Sequence, residues 1–348
     1  MKLKFRTLIL LSSLTVFVAW LGTASEVRGE AFFKGKTLSI VTYGSVGGGY
    51  DTYSRLIGRH ISKYIPGNPE VIAQNMTGAG GVVATNYLYN RAPRDGTVIG
   101  HLPWRIWALQ LSDYPGARFD FAKMSAVGMA ALENAILYTR VDRFADFEAI
   151  KQSKRKVKLS GNGRSSTGFV FGRIVEEVVG RKLFDFVLAY PGSREYNLAV
   201  RQGEVDGAGL IKSSFIDQLG DMWKAGKLSV FVQTGTSAGK RDPYFPNAPL
   251  LTEIAETAEG KKIAQSTGLL AALGRPFWLP PGVPEERVKI LRDAFWNVMQ
   301  DDNLLREAKK LRRPIEPARG EELQKMWDEA LAAPPQVVAI IKDLFRVK

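Results

Sequence analysis

The chain has 348 residues, 45% of them hydrophobic and 24% charged, a composition typical of a globular protein with about two domains. It contains no cysteine and only two histidines, which excludes disulfides, thiolate or His-rich metal sites and cysteine nucleophiles. The formal net charge of +13 is compatible with nucleic acid, a membrane surface or an acidic small molecule as partner, or with a surface that only keeps the protein soluble. The densest basic run, residues 151–158, lacks the interleaved aromatic residues of a nucleic-acid surface, so no nucleic-acid partner is expected.

The first residues have the features of a secretory signal peptide. Lys2, Lys4 and Arg6 precede an apolar stretch from Leu8 to Leu21, and small residues follow it. The stretch is short for a helix that spans a bilayer, although an uncleaved anchor is the alternative. We therefore predict a cleavable signal peptide at residues 1–24 and export of the mature protein to the periplasm.

From Lys36 onward, β-rich runs alternate with helical patterns, which predicts α/β units built on mostly parallel sheets. The predicted elements of this first part are a strand at Thr37–Tyr43, a helix with an apolar face at Tyr53, Leu56, Ile57, Ile61 and Tyr64, a strand at Val71–Gln74, a helix with Val83, Tyr87 and Leu88, and a strand at Thr97–Leu102. A mixed apolar run at residues 124–138 then predicts a crossing between two domains.

A second α/β set follows this crossing. Its predicted elements are strands at Lys156–Ser160, Phe184–Tyr190 and Val205–Leu210, helices at Phe169–Val179 and Glu195–Gln202, and a return crossing at Leu228–Thr234. The last part is predicted to hold a strand at Leu269–Leu279, a helix that begins at Pro284 and two helices within residues 321–344. We predict one lobe at residues 31–130 plus 235–348 and a second lobe at residues 131–234.

Three glycine-rich loops lead from predicted strands into helices. They are Ser45–Asp51, Asn75–Gly81 and Gly161–Thr167. Such a loop presents backbone N–H groups at the positive end of a helix dipole, and glycine allows a ligand to approach closely. One loop alone is typical of an ordinary tight connection. Three at equivalent places predict a shared carboxylate site beyond the carboxyl ends of the strands.

Cofactor and catalytic motifs are incomplete. Gly78–Ala84 fits a dinucleotide-binding pattern, but no acidic residue ends the next strand, and no loop has the Gly-Lys-Ser/Thr ending of a phosphate loop. His60 is predicted to pack on a helix face, whereas His101 ends a strand near the predicted site and is a candidate ligand contact. We find no set of nucleophile, base and orienting residue, so neither a cofactor nor catalysis is expected; an exported enzyme is an alternative.

Several motifs together resemble one protein family. Gly47-Gly48-Gly49-Tyr50-Asp51, followed by Arg55, resembles the G-G-G-x-D-x-x-x-R opening of the extracytoplasmic solute receptors of tripartite tricarboxylate transporters, the TctC-like or Bug family. Further segments resemble family motifs in the same order: Gln74–Gly81, Ala92–Thr97, Tyr190–Asp206, Gly226–Glu253 and Pro280–Pro284. The order and spacing of these segments make the resemblance specific.

The resemblance implies a type II periplasmic-binding-protein fold, in which two α/β lobes close over a ligand cleft. It also implies that the protein binds an organic carboxylate (a tricarboxylate, a dicarboxylate or an aromatic acid) without a cofactor or metal. As a monomer, it would deliver this ligand to the large and small integral subunits of a membrane permease; a receptor for a signalling protein is the alternative. The implied and candidate ligand-binding residues are Tyr43, Ser45, Gly47, Gly48, Gly49, Asp51, Gly78, Ala79, Gly80, Gly81, Ser165, Ser166, Thr167, Tyr190 and Ser193.

The first loop departs from the family pattern, because Tyr43-Gly44-Ser45-Val46 stands where the family has P-F/W-x-P. The identity of the ligand is therefore open. Trp104 and Trp107 are candidates to line a pocket for an aromatic acid, with core packing as the alternative. Asp51 is predicted either to cap its helix or to contact a ligand.

Overall fold

Two mixed sheets flanked by helices make up the structure, a computed structural model that describes residues 32–345 except 104–105, 132, 236–238, 273 and 333–334. The strands are β1 (Thr37–Thr42), β2 (Glu70–Asn75), β3 (Val98–His101), β4 (Ser125–Met129), β5 (Ala135–Arg140), β6 (Val157–Ser160), β7 (Phe184–Val187), β8 (Gly207–Ile211), β9 (Leu228–Gln233), β10 (Pro276–Leu279) and β11 (Ala318–Arg319). The predicted signal peptide lies outside the described residues. Within those residues, no helix combines the length and apolar character needed to cross a bilayer.

Helices cover both sheets and follow most of the strands. They are α1 (Gly49–Ile61), α2 (Val82–Asn90), α3 (Ile106–Leu111), α4 (Phe147–Gln152), α5 (Thr167–Val179), α6 (Ser193–Gln202), α7 (Lys212–Lys224), α8 (Ala258–Ala272), α9 (Glu285–Val298), α10 (Asp302–Lys310), α11 (Gly320–Leu331) and α12 (Pro335–Phe345). Four of the five residues predicted for the apolar face of α1 are fully buried, namely Tyr53, Leu56, Ile57 and Ile61. Tyr64 differs, because it lies in a 3₁₀ turn after the helix and is half-buried.

The first sheet has the strand order β11-β4-β10-β3-β1-β2, and the second has the order β7-β6-β8-β5-β9. The predicted α/β units are parallel: β1 pairs with β2 and β3, and β6 pairs with β7 and β8. In contrast, β10 and β5 pair antiparallel with their neighbours, so the sheets are mixed and not mostly parallel. The chain reaches each of these two strands from the other sheet. Parallel neighbours need a crossover connection within one sheet, usually a helix, and neither strand follows such a connection.

The chain passes between the sheets where the apolar run at residues 124–138 predicts it, since β4 belongs to the first sheet and β5 to the second. The strand predicted at Leu269–Leu279 is wrong in its first part, because α8 extends to Ala272 and β10 begins only at Pro276. A continuous apolar run has no period that separates a buried helix from a strand. The predicted lobe boundaries stay a prediction. Helix α8, which the prediction assigns to the first lobe, packs against α5, which it assigns to the second lobe.

One apolar cluster extends across both sheets. Trp278 in β10 and Trp327 in α11 belong to it, and so does Phe231 in β9. Buried Ile341 adds the C-terminal helix α12 to this cluster, and α12 packs against α3, α5 and α8. The two sheets are therefore joined by a shared core as well as by the chain crossings.

Candidate functional site

A cavity of about 40 Å³ lies between the two sheets, at the ends of β1, β6 and β8. The residues that line it are Tyr43, Gly44, Gly48, Gly49, Tyr50, Asn162, Thr167, Ser193, Tyr196, Leu210, Ile211, Ser214 and Arg275. Loops that follow strands of both sheets form the wall of the cavity. The cavity is thus placed where ligands bind in open α/β sheets.

Four helices begin at this cavity. Gly49 is the first residue of α1, Thr167 of α5 and Ser193 of α6, while Ser214 lies in the first turn of α7. The first N–H groups of a helix have no partner within the helix, and its dipole places partial positive charge there. The convergence of four such termini makes the cavity favourable for an anion.

A buried guanidinium adds full positive charge. Arg275 is 1% exposed, and its Nε donates to Glu133 Oε1 at 3.1 Å. Its Nη2 donates to the hydroxyl of Ser214 at 3.0 Å, and the guanidinium carbon lies 4.4 Å from the centre of the Tyr50 ring. Burial alone would lower the pKa of Arg275, but Glu133 and the neighbouring tyrosines outweigh burial and raise it. Arg275 is the single charged side chain among the described residues that line the cavity.

Glu133 fixes Arg275 in this position. It is buried in the segment that connects β4 with β5, and its Oε2 accepts the backbone N–H of Ser213 at 2.9 Å. Its two oxygens therefore bind a residue that precedes β10 and a residue at the start of α7. The crossing segment, the first sheet and the second sheet are tied together at the cavity by this one carboxylate.

Asp51 stabilises the first glycine loop internally. Its Oδ2 accepts the Gly47 N–H at 2.7 Å, its Oδ1 accepts the Asn75 side-chain amide at 2.9 Å, and the Arg55 guanidinium donates to both oxygens. Burial alone would raise the pKa of Asp51, but hydrogen bonds from Arg55, Gly47 and Asn75 outweigh burial and lower it. Asp51 does not appear among the described residues that line the cavity. Its contacts favour the structural interpretation, in which it orders the loop before α1.

The hydrogen bonds of the Asp51 carboxylate predict that the fold loses stability at acidic pH. A carboxyl whose pKa is lowered in the folded state stabilises the fold above its unfolded pKa, and the stabilisation is lost as pH falls through the folded pKa. We expect Asp51→Asn to lower the free energy of unfolding at pH 7, with a smaller difference from wild type near pH 3. Urea unfolding at both pH values tests this. Asp185→Asn, at an exposed carboxylate, is the control; an equal Asp51→Asn effect at both pH values would contradict the prediction.

The glycine loops also meet each other across the cleft. The Ser165 hydroxyl donates to the Gly80 carbonyl, and the Ser45 hydroxyl donates to Glu195 Oε2 at 3.0 Å. A Cβ atom at Gly163 would lie 2.4 Å from the Gly80 nitrogen, so the approach of these two loops leaves no space for a side chain at Gly163. The structure therefore has the cleft closed.

The predicted site residues divide into two groups. Those that line the cavity are Tyr43, Gly48, Gly49, Thr167 and Ser193. Of the others, Ser45, Gly80 and Ser165 make cleft contacts, and the Ser166 hydroxyl caps α5 by accepting the Phe169 N–H. The remaining six predicted residues do not line the cavity and contact other parts of the protein. Asp51 bonds within its own loop, and Tyr190 packs on the apolar cluster around Tyr196. The others lie beside a neighbouring residue: Gly47 beside the Arg194 guanidinium, Gly78 beside Val83, Ala79 beside Gly163 and Gly81 beside Pro103.

His101 is a core residue and does not line the cavity. It is fully buried, its Nδ1 lies 2.8 Å from the Ser54 hydroxyl, and its ring stacks on Phe277 at 4.0 Å. Burial, together with the charge of Arg275, lowers the pKa of His101 well below its usual value, so the ring is neutral. Trp104 and the side chain of Trp107 lie outside the described residues, and within those residues no cluster of metal ligands is present.

The predicted site residues do not include Arg275, Ser214 and Asn162, which line the cavity. They also do not include Gly44, Tyr50, Tyr196, Leu210 and Ile211. Asn162 lies within the predicted third loop, close to the hydroxyl residues predicted to bind a ligand, so the loop itself is a signal for Asn162. Arg275 and Ser214 stand in no motif. Only the folded chain brings them together.

No family model and no curated protein matches this chain. Solved structures match its fold, which is that of the periplasmic binding proteins. Periplasmic binding protein BugD is 19% identical, with a TM-score of 0.70 over 89% of this chain and 97% of BugD. MatC from Rhodopseudomonas palustris, with bound malate, is 17% identical, with a TM-score of 0.69 over 89% and 99% of the two chains. Rpa4515 from R. palustris, with adipate, is 18% identical, with a TM-score of 0.66 over 88% and 97%.

Proposed function

We propose that this protein is a periplasmic solute-binding receptor of the TctC-like or Bug type that captures an organic carboxylate. The observation that carries the proposal is the cavity between the sheets, where four helix N-termini surround the buried guanidinium of Arg275. An anion is the ligand this arrangement stabilises. Two proteins of similar fold hold malate and adipate, which supports a carboxylate.

Binding would proceed by closure of two lobes, at residues 31–130 plus 235–348 and at residues 131–234. In the open form, the carboxylate would meet the N-terminus of α1 and Arg275 on one side of the cleft. Closure then adds the hydroxyls of Thr167 and Ser193 and excludes water. The contacts Ser45–Glu195 and Ser165–Gly80 would form in the same movement.

The same proposal includes export by a signal peptide at residues 1–24, a monomeric receptor without catalytic activity, and delivery to the two integral subunits of a tripartite tricarboxylate transporter. These points rest on the N-terminal sequence and on the motif resemblance. A pull-down from membranes with and without ligand tests the partner: recovery of permease subunits supports delivery, and recovery of a sensor protein instead would overturn that part.

A binding screen of the mature protein tests the ligand class. We expect at least one mono-, di- or tricarboxylate to raise the melting temperature, because a ligand at 100 times its Kd adds about 2.7 kcal/mol to the free energy of unfolding. Calorimetry then gives the affinity of each hit. If folded protein free of co-purified ligand shows no shift with any organic acid, the receptor proposal is wrong.

A further inference from the structure

The loop between β6 and α5 contains a chemically labile pair of residues. Asn162 is followed by Gly163, and no other asparagine of the sequence precedes a glycine. Asparagine is thermolabile because the backbone nitrogen of the next residue can attack its side-chain carbonyl carbon. Glycine has no Cβ to hinder this attack. Asn162 is therefore the asparagine at which the reaction meets the least hindrance, and it lies in the wall of the anion cavity.

The Asn162 side chain is accessible and unrestrained. No hydrogen bond among the described residues involves its amide, and its polar atoms are not among the buried atoms that lack a partner, so they are accessible to water. Asn134 is the opposite case: its amide nitrogen donates to Gln233 Oε1 at 3.0 Å, and its Oδ1 accepts the Thr234 hydroxyl at 3.0 Å. No such contact within the described part of the chain holds the Asn162 amide away from the peptide that follows it.

The fold requires glycine at position 163. Gly163 has φ +139°, and the Gly80 loop leaves no space for a Cβ atom there. Any residue at position 162 thus precedes a glycine. The polar side chain that faces the cavity and the glycine that allows the two loops to meet are therefore neighbours in the chain, and their proximity creates the labile pair.

The reaction needs no reagent other than water. The Gly163 nitrogen bonds to Asn162 Cγ, the bond between Cγ and Nδ2 breaks, and ammonia leaves with the proton of the Gly163 N–H. Water then opens the succinimide ring. Where it breaks the bond between Cγ and the ring nitrogen, the product is aspartate. Where it breaks the bond between the backbone carbonyl carbon and that nitrogen, the product is isoaspartate, in which the chain continues through the side chain.

Both products would disturb the cavity. Aspartate places a carboxylate in the wall where four helix N-termini and Arg275 stabilise an anion, so the protein would carry its own anion in the site. A carboxylate ligand would then face a like charge. Isoaspartate adds one carbon to the backbone beside Gly163, where the Gly80 loop leaves no free space.

We propose that Asn162 is a site of spontaneous deamidation and that this modification switches off carboxylate binding. The loss of binding rests on the proposed receptor function, whereas the reaction rests on the loop alone. Closure of the cleft should slow the reaction. In the closed structure the Ser165 hydroxyl donates to the Gly80 carbonyl, and the Gly163 carbonyl accepts the Ser166 N–H at 3.0 Å, so the Gly163 peptide is held against rotation toward Asn162 Cγ.

Peptide mapping by mass spectrometry, after incubation of the mature protein at mildly alkaline pH, tests the reaction. Asn247 is the internal reference, because it is exposed, has no side-chain hydrogen bond among the described residues and precedes an alanine. We expect Asn162 to deamidate at least about tenfold faster than Asn247. Equal rates would overturn the inference. Asn162→Gln, whose longer side chain forms the ring less readily, should remove the product at this position.

Calorimetry tests the consequence, with the acid that gives the largest thermal shift in the screen above as the probe. Ion exchange separates the deamidated protein, which carries an additional negative charge. We expect the deamidated protein and Asn162→Asp to bind the acid at least about tenfold more weakly than wild type. Asn162→Gln, which adds no charge, should lose less affinity than Asn162→Asp. Wild-type affinity in the deamidated protein would overturn the inference.

The same acid tests the effect of closure. We expect it to slow deamidation of Asn162 and to leave the rate at Asn247 unchanged. An Asn162 rate that does not respond to the acid would contradict protection by closure. If no acid in the screen binds, the receptor proposal and the loss of binding fail together, whereas the ratio of the Asn162 and Asn247 rates still decides whether Asn162 is a modification site.

Thermal unfolding of the ligand-free variants separates the effect of charge from misfolding. Asn162→Asp should melt no lower than wild type, because the helix N-termini around the cavity stabilise its carboxylate as they would a bound anion. A lower melting temperature together with lost affinity would mean that aspartate disrupts the loop. The explanation by an anion within the site would then be wrong.

Discussion

Gly48→Asp should weaken carboxylate binding by more than about a hundredfold, because like charges brought together in a binding site cost several kcal/mol. A Cβ atom at Gly48 would lie 3.0 Å from the Ser45 carbonyl and 3.3 Å from the Ser193 hydroxyl, so an aspartate there would project into the anion site. Gly48 precedes α1 with φ −68°, where aspartate is a favoured helix cap. The fold should therefore tolerate the change once the Ser45 carbonyl moves by a few tenths of an ångström. Thermal unfolding verifies that the variant is folded, and calorimetry then measures the loss of affinity.

Gly48→Asn is the control for the shape of the new side chain. Asparagine fills the same space and also caps helices, but it carries no charge. We expect Gly48→Asn to weaken carboxylate binding less than Gly48→Asp. The difference between their binding free energies measures the electrostatic contribution to the loss. Carboxylate affinity that stays at the wild-type value in Gly48→Asp would remove this loop from the site.

The second large effect concerns stability. Glu133→Gln should lower the free energy of unfolding by about 3–5 kcal/mol, because it leaves the Arg275 charge buried without a counter-ion. Glu133 and Arg275 are both almost completely buried, and their contact of 3.1 Å connects the crossing segment to the residues before β10. Urea unfolding of the ligand-free variant measures the change.

An exposed ion pair on α9 serves as the control for Glu133→Gln. Lys289 and Asp293 are 2.7 Å apart on the surface of α9, and Lys289→Met should change the free energy of unfolding by less than about 1 kcal/mol. A Glu133→Gln variant as stable as Lys289→Met would mean that Arg275 finds another partner, and the tie between the sheets described above would then be incorrect.

The first glycine loop and its helix were predictable because their signals are local. The G-G-G-x-D run places Gly48 and Gly49 before a helix, and the spacing of Tyr53, Leu56 and Ile57 identifies its buried face. Glycine loops act through backbone N–H groups, so a short sequence contains almost all the information about such a loop. The structure has the loop and the buried helix face where the sequence predicts them, and the ligand-binding role of the loop stays a prediction.

The position of Arg275 at the cavity could not be predicted from the sequence. Its partner Glu133 is 142 positions away in the chain, and Ser214 is 61 positions away, so no spacing pattern relates the three. A sequence shows which side chains are charged, whereas burial beside a cavity depends on how separate sheets pack. The cleft contacts of Ser45 and Ser165 cannot be predicted in detail for the same reason, although the sequence predicts both as site residues. Their partners lie on the opposite side of the cleft.

The apolar cluster that extends across both sheets has a consequence for how the protein denatures. Trp278 and Phe231 belong to one core although their strands lie in different sheets, and Ile341 of α12 belongs to it too. Neither half can expose its share of this core without exposing part of the other. The chain should therefore unfold cooperatively, in one transition, and not lobe by lobe. A carboxylate bound at the cleft would protect residues far from it, including the C-terminal helix, against unfolding.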